Sequence, residues 1–325
     1  EIAAALEEQG NLTDELSDRL QKAATLTELE DLYRPFRPKR RTRATVAREK
    51  GLEPLALALL MQNETRGTAQ ELAQPFVNPE KGVETAEDAL QGARDILAEQ
   101  MSDDADVRKS LRALAMRTGV LESKNAGEED SVYATYYDFS QEARSLPAHR
   151  VLAMNRGERE GFLKVSLRLS DAACVDVLEK AFVRPGSVTT GQVAMAAQDA
   201  WDRLLQPSVE REIRADLTDR ASASAIQVFG KNLHQLLMAP PVKGRVTLGV
   251  DPGFRTGCKL AVVDENGKVL ATGVGHFTLP GQEAAKARAR RDIIDLCRRF
   301  GVTAIAIGNG TASREAEQFI ASLLP

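Results

Sequence analysis

Apolar positions recur at helical spacing through the first third of the chain. Leu16, Leu20 and Ala23 fall on one side of a segment that Thr13 can cap, because a hydroxyl placed before the first turn accepts an amide proton that the helix leaves unbonded. Thr85, followed by Glu87 and Asp88, opens another helix with Ile96 and Leu97 on its buried face. Ser102-Asp103-Asp104 starts a third, in which Val107, Leu111, Leu114 and Ala115 stand at i, i+4, i+7 and i+8, the stripe of a helix packed on its neighbours. Residues 1 to about 120 are therefore predicted to be consecutive helices.

The pattern then changes. The polar run Ser123-Lys124-Asn125-Ala126-Gly127-Glu128-Glu129-Asp130 predicts a linker or long turn. Phe162 to Leu169 alternates strictly, with Leu163, Val165, Leu167 and Leu169 facing one way and Lys164, Ser166 and Arg168 the other, a half-buried strand. Two helices are expected next, one from about Gly191 to Leu205 and a long one from Pro207 to about Met238, with the proline where a missing N–H costs least. Ala239-Pro240-Pro241-Val242-Lys243-Gly244 stops that helix.

Beyond it, Arg245–Asp251, Cys258–Asp264 and Val269–Gly275 read as three strands, the last two joined by a tight turn at Glu265-Asn266-Gly267-Lys268. An amphipathic helix with Ile293, Leu296, Cys297 and Phe300 inside follows, then a strand Val302–Ile307 and a helix Ser313–Leu324. The order β-β-β-α-β-α is that of a ribonuclease-H-like domain, interrupted before it is complete. The expected fold is multidomain: a mainly α region over 1–124, a mainly helical centre over 125–243 with a short strand and a long helix, and an incomplete α/β ribonuclease-H-like domain over 244–325.

Composition narrows the class. With 325 residues, 43% hydrophobic and 28% charged, the chain can bury more than one core, and 5% aromatics with a single Trp suits helices packed through Ala and Leu. A net charge of −4 excludes a uniformly basic nucleic-acid binder, so any such contact must be a local patch. Cys174, Cys258 and Cys297 form no CxxC pair and no zinc spacing, which suits a reducing cytoplasm. No stretch of about 18 apolar residues predicts a membrane span. The chain opens Glu1-Ile2-Ala3 and closes Leu323-Leu324-Pro325, and both ends are read as cuts within a longer polypeptide.

One candidate patch is Leu32-Tyr33-Arg34-Pro35-Phe36-Arg37-Pro38-Lys39-Arg40-Arg41-Thr42-Arg43. From Arg34 to Lys50 it carries eight basic residues (Arg34, Arg37, Lys39, Arg40, Arg41, Arg43, Arg48, Lys50) against one acid, Glu49. Tyr33, Phe36 and two prolines are expected to hold it extended, so that its cations neutralise several backbone phosphates. The plainer alternative is a solvated loop whose arginines pair with acidic helices. A second basic surface is the helix bearing Lys286, Arg288, Arg290, Arg291, Arg298 and Arg299, of which Arg288 and Arg291 are the candidate phosphate contacts, against a solvated helix face.

Leu248-Gly249-Val250-Asp251-Pro252-Gly253-Phe254-Arg255-Thr256-Gly257 ends a strand on a carboxylate, where a ribonuclease-H-like nuclease places its first metal ligand. Asp264 is too far along the hairpin to share that site. The later strand ends Ile307-Gly308-Asn309-Gly310, giving a neutral amide where a nuclease needs a carboxylate, and Glu315 would have to swing in from the next helix. Asp251 and Glu315 are thus vestigial candidates, with no catalytic, metal or cofactor site expected. The Asp-x-Gly-x-x-Thr pattern is also similar to the phosphate loop of actin-like ATPases, but no second lobe with its own loops accompanies it. Gly308-Asn309-Gly310-Thr311-Ala312-Ser313-Arg314-Glu315 is either an anion-facing helix start or ordinary capping by Thr311 or Ser313. His149, His234 and His276 stand alone, and no GxSxG, Walker A or HExxH motif occurs.

Five strings together resemble one family. Leu32 to Ala44, His149-Arg150-Val151-Leu152-Ala153-Met154-Asn155-Arg156-Gly157-Glu158, Pro207-Ser208-Val209-Glu210-Arg211-Glu212-Ile213-Arg214, Gly249 to Lys259 and Ile307 to Glu315 resemble, in order, segments of the Tex transcription accessory proteins, the last two their YqgF-type ribonuclease-H-like domain. The resemblance implies a cytoplasmic, non-enzymatic transcription accessory scaffold that contacts DNA or RNA, with RNA polymerase or the ribosome as partner. It implies no membrane association, and a monomer is expected. Family members also carry helix-hairpin-helix modules and a C-terminal OB-fold RNA-binding domain, and this chain stops inside the YqgF-like domain. A metal-dependent nuclease and a pure protein-interaction scaffold are the competing readings.

Overall fold

The computed structural model describes residues 2–38, 40–127, 131–240 and 242–324. It divides into two units, Glu1–Asn232 and Leu233–Pro325.

The first unit begins with α1 (Ile2–Glu8), α2 (Asp14–Lys22) and α3 (Leu26–Tyr33), followed by α4 (Arg43–Glu49), α5 (Glu53–Met61), α6 (Ala69–Ala73), α7 (Ala86–Asp103) and α8 (Ala105–Thr118). The predicted caps form. Thr13 accepts from the Leu16 amide at 3.2 Å. Thr85 accepts from the Asp88 amide at 3.1 Å while Asp88 accepts from the Thr85 amide at 2.9 Å, so two orphan donors are satisfied reciprocally. Asp104 alone caps α8, accepting from the amides of Asp106 and Val107, and Ser102 and Asp103 finish α7 instead of opening the next helix. Ala89, Leu90, Ala93, Ile96, Leu97, Ala98 and Met101 bury α7 on nearly every side, with α4, α5 and α6 packed around it.

A three-stranded antiparallel sheet follows, with β1 (Val120–Asn125) between β2 (Asp138–Glu142) and β3 (Leu163–Arg168). The alternation read in β3 holds, with Leu163, Val165 and Leu167 buried. The linker expected from Ser123 is corrected: Ser123, Lys124 and Asn125 complete the central strand β1, Ser123 pairing with Phe139 and Val165. Its polar composition hid it, since only Leu121 marks an inward face with an apolar side chain. Glu128, Glu129 and Asp130 lie outside the described residues. The expected division at 124/125 therefore falls inside a strand, and one core cluster runs across it from Ala44 to Ala221.

The chain continues through α9 (Ala148–Arg159), α10 (Asp171–Phe182) and α11 (Thr190–Asp199), then a π-helical turn Ala200–Leu205 and the 32-residue α12 (Gln206–Leu237). Two helices were expected here; the chain stays helical from Thr190 onward. Pro207 has no N–H to offer and its ring crowds the preceding turn, and the wider π-turn, with the Gln206 amide bonded to the Trp201 carbonyl, carries the helix past it. Trp201 is fully buried in that turn and donates its indole N–H to Asp171 at 2.9 Å.

The second unit holds β4 (Thr247–Asp251), β5 (Cys258–Val263), β6 (Val269–Gly275), α13 (Glu283–Phe300), β7 (Ala304–Ile307) and α14 (Ser313–Ala321), in the order read from the sequence. The sheet order is β6-β5-β4-β7, antiparallel except for the parallel β4–β7 pair. Leu248, Val250, Cys258, Leu260 and Val262 face Ala289 and Ile293 of α13 and Ala316 and Ile320 of α14, and Phe277 stacks on Phe319 at 4.4 Å. The predicted hairpin turn is built on Asp264, whose Oδ1 accepts from the Asn266 and Lys268 amides, with Gly267 at φ 85°. The mainly helical region followed by a small α/β domain is the class expected. No helix among the described residues is long and apolar enough to cross a membrane.

Candidate nucleic-acid interface

The basic strip sits between α3 and α4. It is not extended throughout: Arg34–Phe36 forms a 3-10 turn continuous with α3, because Pro35 suits a first helical turn, and the backbone extends only at Arg37. Thr42 then caps α4 reciprocally with Thr45.

The cations divide into two groups. Arg34 donates Nε to Asp103 at 3.2 Å, and Arg48 donates to Glu99 at 2.9 Å and lies 3.5 Å from Glu53. Lys50 bonds the Gly82 carbonyl at 2.8 Å. These three brace the segment against the body. Arg41 makes an exposed, long contact of 3.4 Å to Glu49, worth about 0–1 kcal/mol. Arg37, Arg40 and Arg43 are exposed and have no ion-pair partner among the described residues. Lys39 lies outside the described residues. The structural and the phosphate-facing uses thus fall on different members of one strip.

In the second unit, α13 turns Ala289 and Ile293 inward and leaves Arg288, Arg291 and Arg298 exposed and unpaired among the described residues. Arg290 is taken by the Ser322 carbonyl at 3.2 Å, Lys286 by Glu283 at 3.1 Å, and Arg299 lies over the Phe300 ring.

Asp251 ends β4 exposed, directly across from Lys259, whose Nζ lies 3.8 Å from its carboxylate. Gly308 follows β7 beside it, its amide bonded to the Val250 carbonyl at 2.8 Å, which brings the end of β7 and hence Asn309 to the same corner. Asp264 lies at the far end of the hairpin, next to the Val263–Thr247 pair. Glu315 is exposed on α14 and makes no hydrogen bond or ion pair among the described residues. Two-metal hydrolysis needs several carboxylates converging on shared ions. No group of three or more His, Cys, Asp or Glu side chains placed to hold a metal occurs among the described residues. The capping expected from Thr311 or Ser313 is corrected: Ala312, in the left-handed region at φ 64°, is the N-cap of α14, with no side-chain bond. His149, His234 and His276 are all exposed.

Sequence reasoning missed a groove beside the strip, where α4 crosses α7, lined in part by Arg41, Arg43, Gln91, Gly92 and Asp95. Burial pushes the Asp95 carboxyl above its ordinary range, against the opposing pull of Arg203. Gly92 inside a helical stretch was the available signal, since a glycine there marks a close approach.

Residues 64–229 match a family model described as Tex central region-like, and residues 245–325 one described as Tex protein YqgF-like domain. An uncharacterized protein YdcI of Bacillus subtilis is 42% identical over the whole chain, which covers 45% of that relative. Protein tex of Bordetella pertussis is 38% identical over 99% of the chain and 42% of its own length. The transcriptional accessory protein Tex of Neisseria gonorrhoeae is 36% identical over 99% of the chain, again 42% of its own length. The chain thus spans less than half of each of these relatives.

Proposed function

The chain belongs to the Tex family, and from that footing we propose that it is a non-catalytic, nucleic-acid-binding scaffold that works with the transcription machinery in the cytoplasm. The observation that carries the reading is the outward group of the strip. Arg37, Arg40 and Arg43 stand exposed and unpaired among the described residues while Arg34 and Arg48 anchor the same segment inward. Held cations lose less freedom on meeting a phosphate backbone than free ones do, so the strip is organised for that contact. Arg288, Arg291 and Arg298 on α13 offer a second phosphate-facing row. The Asp251 corner, with one carboxylate next to a lysine, favours a scaffold over a nuclease. Transcription is the setting that the Neisseria gonorrhoeae relative's name gives, and RNA polymerase is the partner we assign to it.

The test is a salt series. Binding of a fluorescent single strand is measured by anisotropy between about 50 and 200 mM salt, where each phosphate contact adds about 0.7 to the slope of log affinity on log salt. Arg40→Glu/Arg41→Glu/Arg43→Glu is expected to flatten that slope by about 2 and to weaken binding across all sequences. An unchanged slope in this variant refutes the assignment. Magnesium- or manganese-dependent cleavage that Asp251→Asn abolishes overturns the non-catalytic reading.

A further inference from the structure

Gly92 of α7 packs against Ala47 of α4 and against Leu52, the residue before α5. A Cβ at Gly92 would fall 2.3 Å from Leu52 Cδ1 and 3.4 Å from Ala47 Cβ, so a larger residue there would have to displace the Leu52 side chain. The groove left beside it has a volume of about 520 Å³, within the range of small-ligand sites. Its deeper lining is apolar: Ala47 and Leu52 are buried, Val46 half-buried. Its charged lining is Arg41 and Arg43 of the basic strip with Lys50, against the carboxylates of Asp88 and Asp95.

Between rim and floor stands an under-satisfied carboxylate. The Asp95 side chain is only 12% exposed, yet its contacts to Arg203 Nη2 and Gln91 Nε2 are both 3.5 Å, the outer limit of hydrogen bonding. Arg203 is committed to Asp199, at 2.5 and 3.1 Å. Gln91 is oriented by Arg94, which donates to its Oε1 at 2.8 Å and so leaves the amide nitrogen on the Asp95 side. The groove therefore presents one amide donor followed by a carboxylate that only accepts.

We propose that this groove is a guanine slot for a single-stranded nucleic acid, with the base against Val46, O6 on the Gln91 amide, N1–H and N2–H on Asp95, and the neighbouring phosphates on Arg41 and Arg43. This deepens the nucleic-acid-binding reading and rests on it. Guanine is the base whose pairing edge runs acceptor, donor, donor. Adenine and cytosine would point a ring-nitrogen lone pair at the carboxylate, and uracil a carbonyl. The edge involved is closed in a duplex, which restricts the ligand to single strands.

The full chain is titrated with fluorescent oligouridine carrying one central guanosine, inosine, adenosine or cytidine. Guanosine is expected to bind roughly tenfold tighter than the other standard bases, with inosine, which lacks the 2-amino group, in between. Asp95→Asn is expected to erase the preference, read as the ratio of guanosine-containing to plain oligouridine affinity within the same variant. Gln91→Ala, at an exposed position, is expected to reduce it, with the urea midpoint of the variant checking that the fold is kept. Saturation transfer from the protein to guanosine monophosphate, and not to adenosine monophosphate, reads the slot without strand contacts. Binding without a guanosine preference, or a preference that survives both substitutions, overturns the slot and leaves the phosphate strip standing. Loss of all binding at low salt removes the slot together with the nucleic-acid reading.

Discussion

Arg108 makes a sharp test of how the segment before the strip is fastened. Its side chain is 1% exposed and has four partners: Nε donates to Asp31 at 2.8 Å, Nη1 to the Ser102 carbonyl at 3.2 Å, and Nη2 to Ser208 at 3.0 Å and to Glu212. Arg112 closes the ring, contacting Glu212 at 3.1 Å and the other oxygen of Asp31. Two cations thus meet two anions, with Asp31 6% and Glu212 26% exposed. Arg108→Met keeps the buried stem but leaves the cluster with one uncompensated negative charge and two orphaned acceptors, at a cost of about 3–5 kcal/mol. The double variant Arg108→Met/Asp31→Leu removes that charge and should recover to within about 1 kcal/mol of the parent, because an apolar pair of similar volume avoids the desolvation of the ions. Urea unfolding followed by Trp201 emission reports the right unit, since Trp201 is the single tryptophan and fully buried there. A loss below about 1 kcal/mol in Arg108→Met, or a double variant worse than the single, refutes the argument. By contrast the exposed Arg19–Asp106 pair should contribute at most about 1 kcal/mol, and less in salt.

Three further outcomes are expected. Gly157→Ala gains about 1 kcal/mol of helix propensity in α9, but its Cβ would sit 2.6 Å from Leu163 Cδ1 and 3.1 Å from Tyr133 Cδ1; overpacking costs about 1–3 kcal/mol, so a net loss should appear as a lower urea midpoint. Thr85→Ala should cost about 1 kcal/mol. The Thr85 hydroxyl and amide hold the Asp88 carboxyl below its ordinary range, so the box contributes above the ordinary carboxylate range and is lost as pH falls through the depressed value; the Tm gap between parent and variant should close in acid. Burial, with Asp171 adding to it, pushes the Cys174 thiol from 9.0 up to about 11. Its folded value is raised, so that stability is intact below about pH 9 and is lost, by about 3 kcal/mol, as pH rises towards 11, and Cys174→Ala should flatten that fall in Trp201-monitored unfolding.

Legibility in the sequence followed how local each determinant was. Thr13 and Thr85 act on amides three residues away and could be read from a few neighbouring letters, whereas Pro207, read as a helix start, lies inside a helix that a π-turn carries past it. The β3 alternation and the strand order of the second unit were legible for the same reason. β1 was not, because a strand paired on both edges can carry Glu122, Ser123 and Lys124 when its partners supply the apolar contacts. α9 and α10 were passed over although Ser170 caps α10, since Cys174, Val175 and Leu178 make only a short stripe. At the strip, the string showed how many cations there were but not which were spent. Glu99 and Asp103 lie more than fifty positions from Arg48 and Arg34 and reach them only because α7 passes beneath. The groove at Gly92 depends on the same crossing: a glycine inside a helix marks a close approach without saying what approaches.

Charge placement reconciles a net −4 chain with a phosphate-facing strip. No residue of α1–α3 belongs to the main core cluster among the described residues, and beside the buried Leu6 and Leu32 the segment leading into the strip is tied to α8 by ions: Asp31 to Arg108 and Arg112, Glu28 to Lys109, Arg19 to Asp106. The strip is then fixed from its other side by Arg34 on Asp103 and Arg48 on Glu99. Asp31, Glu99 and Asp103, which would repel a polyanion, are in this way turned inward against arginines, where their field is largely cancelled, and the arginines left over point outward from an anchored backbone. An apolar anchor could hold the same backbone but would leave those carboxylates free at the surface beside the ligand's phosphates. The buried ion pairs are therefore better explained by the electrostatics of the outward face than by stability, to which such pairs add little net.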